Sequence, residues 1–198
     1  MTRAFFTSQE SVEKELVRLI DESRSTIDMA VFRFASRPLA MAIRRARARH
    51  VRVRIVLDGR SEQEGKSDAL GIAFVRGEVR LLDGKRGRSQ GIMHHKFVLF
   101  DRKRVVTGSF NWTSGAEHVN YENALLTDTP GVVGAYGKEF DRLWERASEV
   151  DPGSAGMRME RPTSGMFRNK GTKLHFSTKS TIPAQKKPHR KKKKPKGA

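Results

Sequence analysis

The chain has 198 residues, 36% of them hydrophobic, which suits one modest core with a tail rather than two cores. Lys and Arg number 40 against 22 Asp and Glu, a net charge of +18. Cysteine is absent and no apolar run approaches the roughly 18 residues of a membrane span, which excludes disulfides, Cys-ligated zinc, thiol nucleophiles and a transmembrane helix.

Residues 10–23 predict a helix, because Val12, Leu16, Leu19 and Ile20 recur on one helical face; Ser8 is its expected N-cap. Residues 26–34 are apolar and β-branched and predict a buried strand. Pro38 opens a second helix that runs to about Arg49. Over 51–57, Val51, Val53, Ile55 and Leu57 share one face and Arg52 and Arg54 the other, a strand ended by Asp58-Gly59. The basic run from Arg44 to Arg54 is expected on a solvated helix face and strand end. A weaker helix over 67–75 and a short strand over 79–82 follow. Strands over 92–100 and 104–109 are joined by the turn Asp101-Arg102-Lys103. A strand over 121–127 and a helix over 132–148 close the pattern, and the helix carries a core stripe of Val133, Tyr136, Phe140, Leu143 and Trp144. This order predicts an α/β domain over 1–150, a mixed β-sheet sandwiched between helices.

From Asp151 the periodicity stops. Residues 151–198 hold 14 basic and 2 acidic residues, a net of +12, against +6 for the first 150. They are expected to form a disordered Lys-rich tail, with Leu174-His175-Phe176 the stretch suited to docking on the core. Such charge implies a polyanionic partner: DNA or RNA, or an anionic membrane surface reached through the tail. Met1–Phe6 has no apolar signal region, so the expected location is the cytoplasm, without excluding export.

The chemistry concentrates after Met93. His94 and Lys96 are two apart, which on a strand puts both side chains on one face and His95 on the other. Ser109 and Asn111 are also two apart, and the turn at 101–103 makes the two stretches neighbours. An imidazole, an ammonium, a hydroxyl and a carboxamide therefore share one patch, with Gly108 leaving room for a ligand or a close backbone. That patch suits a phosphodiester. Neutral imidazole is a nucleophile for phosphorus, and Lys96 and Asn111 can stabilise the charge on the non-bridging oxygens. Lys85, Arg86 and Arg88 precede the strand and are candidates to grip the substrate backbone. Trp112 either stacks on a nucleobase or packs beneath the motif turn.

His94-x-Lys96-x4-Asp101-x6-Gly108-Ser109-x-Asn111 resembles the signature of the phospholipase D superfamily, and Asn120-x-Glu122-Asn123 resembles its downstream segment. The resemblance covers about residues 5–148. It is nearest in size to the superfamily's small single-motif bacterial endonucleases and Zucchini-type phosphodiesterases. It implies a phospholipase D-like fold and a reaction through a phosphohistidine, with no metal and no cofactor. His94 would be the nucleophile. Lys96 and Asn111 would bind phosphate, Ser109 would help hold it, and Glu122 would orient His94. Asp101 would be mainly structural, the weakest of the catalytic candidates.

One imidazole cannot stand on both sides of an in-line displacement, and no second His-x-Lys in the chain is followed by Gly-Ser-x-Asn. A homodimer sharing one active site supplies the second imidazole as general acid. The expected function is a non-specific endonuclease acting on DNA or RNA. The alternative is a phospholipase D-type hydrolase of phospholipid headgroup esters, which needs an apolar entrance that the sequence pattern does not display.

Overall fold

The computed structural model describes residues 1–63, 78–85 and 91–150. The weaker helix over 67–75, Arg86, Arg88 and the whole of 151–198, including Leu174-His175-Phe176, lie outside the described residues. In chain order the elements are β1 (Thr2–Phe6), α1 (Val12–Glu22), β2 (Thr26–Val31), β3 (Phe34–Ala35), α2 (Arg37–Ala48), β4 (Arg52–Asp58) and α3 (Gly59–Gln63). They continue with β5 (Val79–Leu82), β6 (Lys96–Phe100), β7 (Arg104–Gly108), β8 (Trp112–Thr113), α4 (Ser114–His118), β9 (Asn123–Thr127), α5 (Pro130–Arg146) and β10 (Ser148–Glu149).

Eight strands form one sheet in the order β1-β9-β7-β6-β2-β4-β5-β10. β2, β4 and β5 run parallel and every other pairing is antiparallel, so the sheet is mixed. Alternation along the central strands gives the sheet two apolar faces. Ile27, Met29, Val53, Ile55, Leu57, Val98 and Phe100 pack with α1 and α2 on one side. Ala30, Val56, Phe97, Leu99 and Val105 pack with Val133, Phe140 and Leu143 of α5 on the other. Tyr136 and Trp144 complete the α5 stripe, partly buried. This is the expected sandwich. Among the described residues no helix is long and apolar enough to cross a membrane.

Several local expectations shift, each for a physical reason. α1 is capped by Ser11, whose hydroxyl accepts from the Lys14 N–H at 3.0 Å, and not by Ser8, because the apolar face begins only at Val12. The strand expected over 26–34 breaks at Phe32-Arg33, where the chain leaves the main sheet so that Phe34 can pair with Trp112. The strand expected from 92 begins at Lys96; Ile92 makes an isolated bridge to Asp83, and the Met93 N–H turns to a carboxylate. Arg54 is not solvated. It forks onto Asp28, itself 1% exposed, at 2.7 and 2.9 Å and lies over the Phe140 ring under α5. β1, which the pattern does not predict, pairs with β9 and buries Phe5.

Candidate active site

β2 and β4 run parallel, and the site residues gather beyond their C-terminal ends, where open α/β sheets offer a crevice. Val31, the last residue of β2, pairs with Lys96, the first of β6. Gly108, the last of β7, pairs with Ala124 at the start of β9. These registers bring the 94–96, 108–111 and 122–123 segments to one edge of the sheet.

The ring of Phe32 organises the corner. The His94 imidazole meets it edge-on at 4.8 Å between centroids. The Lys96 ammonium lies 5.2 Å from the same centroid and donates to the His94 carbonyl at 3.0 Å. His95 points to the opposite layer, 3.7 Å from Glu139 of α5, as the alternation requires. Asn111 is half-buried, and its Oδ1 is buried with no hydrogen-bond partner among the described residues. The carboxamide is therefore not tied into the scaffold through its acceptor.

Ser109 knits the edge together. Its hydroxyl accepts from the Asn123 N–H at 3.1 Å and donates to the Glu122 carboxylate. Asn120 donates to the other Glu122 oxygen at 3.1 Å, and Thr7 accepts the Glu122 N–H at 2.9 Å. Within one chain Glu122 is thus occupied by Ser109 and Asn120; the bond to His94 that the resemblance implies is not made there. Gly108 serves a close backbone: a Cβ would stand 2.2 Å from the Asn123 carbonyl oxygen.

The electrostatics favour a neutral imidazole. Burial first, then the positive charges of Lys96, His95 and Arg33, push the His94 pKa below its ordinary value, and Asp58 opposes them. Lys96 is also pushed down, by burial and by Arg33, while the Glu122 carboxylate pulls it back up. Perturbed groups gathered at one end of the sheet make this corner the candidate active site.

Two residues here escape sequence reasoning. Asp58 reads as a strand-ending turn residue, yet it is buried; its Oδ1 accepts the Ser61 N–H at 2.7 Å and its Oδ2 the Met93 N–H at 2.8 Å. Arg33 reads as one of many arginines, yet its guanidinium lies 5.1 Å from the Phe32 centroid. No sequence spacing links either to the motif.

Other candidates fall elsewhere. Asp101 lies seven residues along from His94, at the far end of the β6–β7 hairpin, some 20 Å away for extended chain. There its carboxylate accepts from Arg24, Ser25 and Thr26. It binds scaffold, not the corner that holds His94. Trp112 is 2% exposed and packs edge-on against Phe34 at 5.0 Å, which corrects its place among substrate-binding candidates: a buried indole has no face for a base. Lys85 is exposed, just past the Asp83–Ile92 bridge that adjoins the approach to His94. Val119 and Tyr121, 80% and 91% exposed, flank the loop before Glu122, an apolar rim that the sequence pattern does not reveal.

Residues 16–144 match the family described as cardiolipin synthase, PLD-like domain, a span that contains every motif position from His94 to Glu122. The chain belongs to the phospholipase D superfamily. Within this superfamily it is 40% identical over 142 residues to a mitochondrial cardiolipin hydrolase of Xenopus laevis, covering 69% of this chain and 61% of that one. The human mitochondrial cardiolipin hydrolase is 34% identical over 137 residues, covering 69% of this chain and 52% of that protein. The chain thus spans less than two thirds of the length of these relatives. Among solved structures it is similar to Nuc from Salmonella typhimurium, a phospholipase D family member. Identity there is 25% and the TM-score 0.68, over 76% of this chain and 97% of that one.

Proposed function

We propose that the protein hydrolyses phosphodiester bonds in nucleic acid without a metal, through a phosphohistidine on His94. The observation that carries the reading is the convergence of His94 and Lys96 on the Phe32 ring, where burial lowers the imidazole pKa and favours the neutral, nucleophilic form. A neutral ring nitrogen attacks phosphorus while Lys96 and Asn111 stabilise the charge on the non-bridging oxygens. The leaving oxygen departs with a proton from the His94 imidazolium of a second copy. Water then attacks the phosphorus of the P–N intermediate, giving up its proton to that second imidazole, and His94 is released. The shared site makes a homodimer the active form. A net charge of +18 supports a polyanionic substrate.

The rival substrate is a phospholipid. It is supported by relatives named cardiolipin hydrolase and by the exposed Val119 and Tyr121 beside Glu122. One experiment separates the two. The full chain is incubated in excess EDTA with single-stranded DNA, duplex DNA, RNA, and vesicles of cardiolipin or phosphatidylcholine. Nucleic-acid cleavage that survives EDTA and vanishes in H94N is the expected result. Lipid turnover without cleavage of nucleic acid transfers the reading to the phospholipase, and activity that EDTA abolishes overturns the mechanism. Light scattering should report a dimer; a fully active monomer would refute the shared site.

A further inference from the structure

We propose that Arg33 is an additional phosphate-binding residue of this site, an anion receptor outside the His-x-Lys motif; this rests on the phosphodiesterase reading. The break at Phe32-Arg33 carries the chain from the end of β2 (Val31) to β3 (Phe34–Ala35), with Arg33 in the link between them. The Arg33 backbone is fixed there, because its carbonyl accepts the Trp112 N–H at 3.1 Å. Its guanidinium then lies against the same ring that carries the Lys96 ammonium and the edge of His94.

The surroundings leave Arg33 incomplete. Arg54, Arg80 and Arg104, half-buried like Arg33, each lie on a carboxylate. Arg33 has none within 4 Å among the described residues, and its Nε is buried without an acceptor. A buried guanidinium donor with no partner is costly, and the planar fork is the group best shaped for phosphate oxygens. The nearby charges raise that cost. Arg33 acts on Lys96 and His94 as a like charge, and the opposing carboxylates, Glu122 and Asp58, have hydrogen-bond partners of their own. A dianionic or diester phosphate entering this corner supplies the missing acceptor and neutralises the crowding at once. The ring of Phe32 attracts both cations, each about 5 Å from its centroid, without competing for their protons.

The test uses the full chain, isotope-labelled, with inorganic phosphate as the probe and the His94 ring resonances as the readout. Four proteins are compared: wild type, Arg33→Gln, Arg33→Lys, and Arg44→Gln, which removes an exposed charge on α2. The expected result is phosphate binding at least tenfold weaker in R33Q, less than threefold weaker in R44Q, and intermediate in R33K. Removing the like charge must also raise the His94 pKa in R33Q; the other groups acting on it, Lys96, His95 and Asp58, are unchanged. Equal weakening in R33Q and R44Q, unchanged affinity in R33Q, or no phosphate response in wild type overturns the proposal. If R33Q does not fold, R33K decides, since loss of the fork alone must cost at least threefold. A cleavage assay on wild type and H94N runs beside it: no cleavage by wild type refutes the phosphodiesterase reading, and cleavage that survives in H94N refutes His94 as its nucleophile, whatever the titration says of Arg33.

Discussion

The buried Asp58 carboxylate accepts the Met93 N–H at 2.8 Å, one residue before His94. The residue at the C-terminal end of β4 therefore sets how the chain enters the site, and its charge is the one that opposes the lowering of the His94 pKa. Asp58→Asn keeps the shape but has one accepting oxygen for two N–H donors. It should cost about 1–3 kcal/mol of stability, the usual penalty for an unsatisfied buried donor, and lower kcat at least tenfold. The His94 pKa should fall further, because the favourable negative charge is gone. Thermal unfolding and His94 titration by NMR check this. A variant with wild-type kcat and an unmoved imidazole would show that Asp58 merely caps α3.

Asp101 should govern stability and not chemistry. Burial opposes its ionisation, but the Thr26, Ser25 and Arg24 N–H groups outweigh burial and hold its pKa below the ordinary carboxylate value. A lowered folded pKa means that the stabilisation is present above the unfolded value of about 3.9 and is lost as pH falls through the folded value. Asp101 has φ 53°, a conformation asparagine tolerates, so Asp101→Asn isolates the charge. The variant should lose about 1–2 kcal/mol at pH 7, allowing for screening of a partly exposed group. It should lose little at pH 3 and keep kcat within about threefold at 20 °C. A large kcat loss with unchanged unfolding would place Asp101 in the mechanism after all.

Gly108 offers a steric test. A Cβ there stands 2.2 Å from the Asn123 carbonyl, which is backbone of the neighbouring strand and cannot turn aside. Gly108→Ala should destabilise by about 1–3 kcal/mol through overpacking and lower kcat by moving Ser109 off the Asn123 N–H. Gly134 on α5 has open space around its Cβ position, so Gly134→Ala should gain about 0.5–1 kcal/mol from helix propensity. Urea unfolding of both variants decides; equal and small effects would mean that the β7–β9 contact is looser than described.

The fold and the motif were legible because both write themselves in short periods. Val53, Ile55 and Leu57 alternate, Val133, Phe140 and Leu143 recur helically, and His94 and Lys96 share a face because strands repeat every two residues. What escaped needed contacts between segments distant in sequence. Asp58 meets Met93 across 35 residues, and Arg33 joins the corner only because Phe34 pairs with Trp112. Arg54 reads as solvated because its partner Asp28, beneath α5, is 26 residues away in sequence. Trp112 carried no local sign of its burial against Phe34. Exposure of Val119 and Tyr121 likewise depends on what fails to cover them.

Glu122 should set the alkaline limit of the site. Lys96 must be protonated to hold a phosphate oxygen, and burial lowers its pKa while the Glu122 carboxylate opposes that shift. Glu122→Gln keeps hydrogen-bonding atoms towards Ser109 and Asn120 but removes the negative charge. The Lys96 pKa must then fall further, so the alkaline limb of kcat/KM should move to lower pH, while inhibition by phosphate weakens most on the alkaline side. A profile over pH 6–11 for both proteins reads this directly. An alkaline limb that stays put, or moves to higher pH, would mean that Lys96 is not the group whose protonation the site requires.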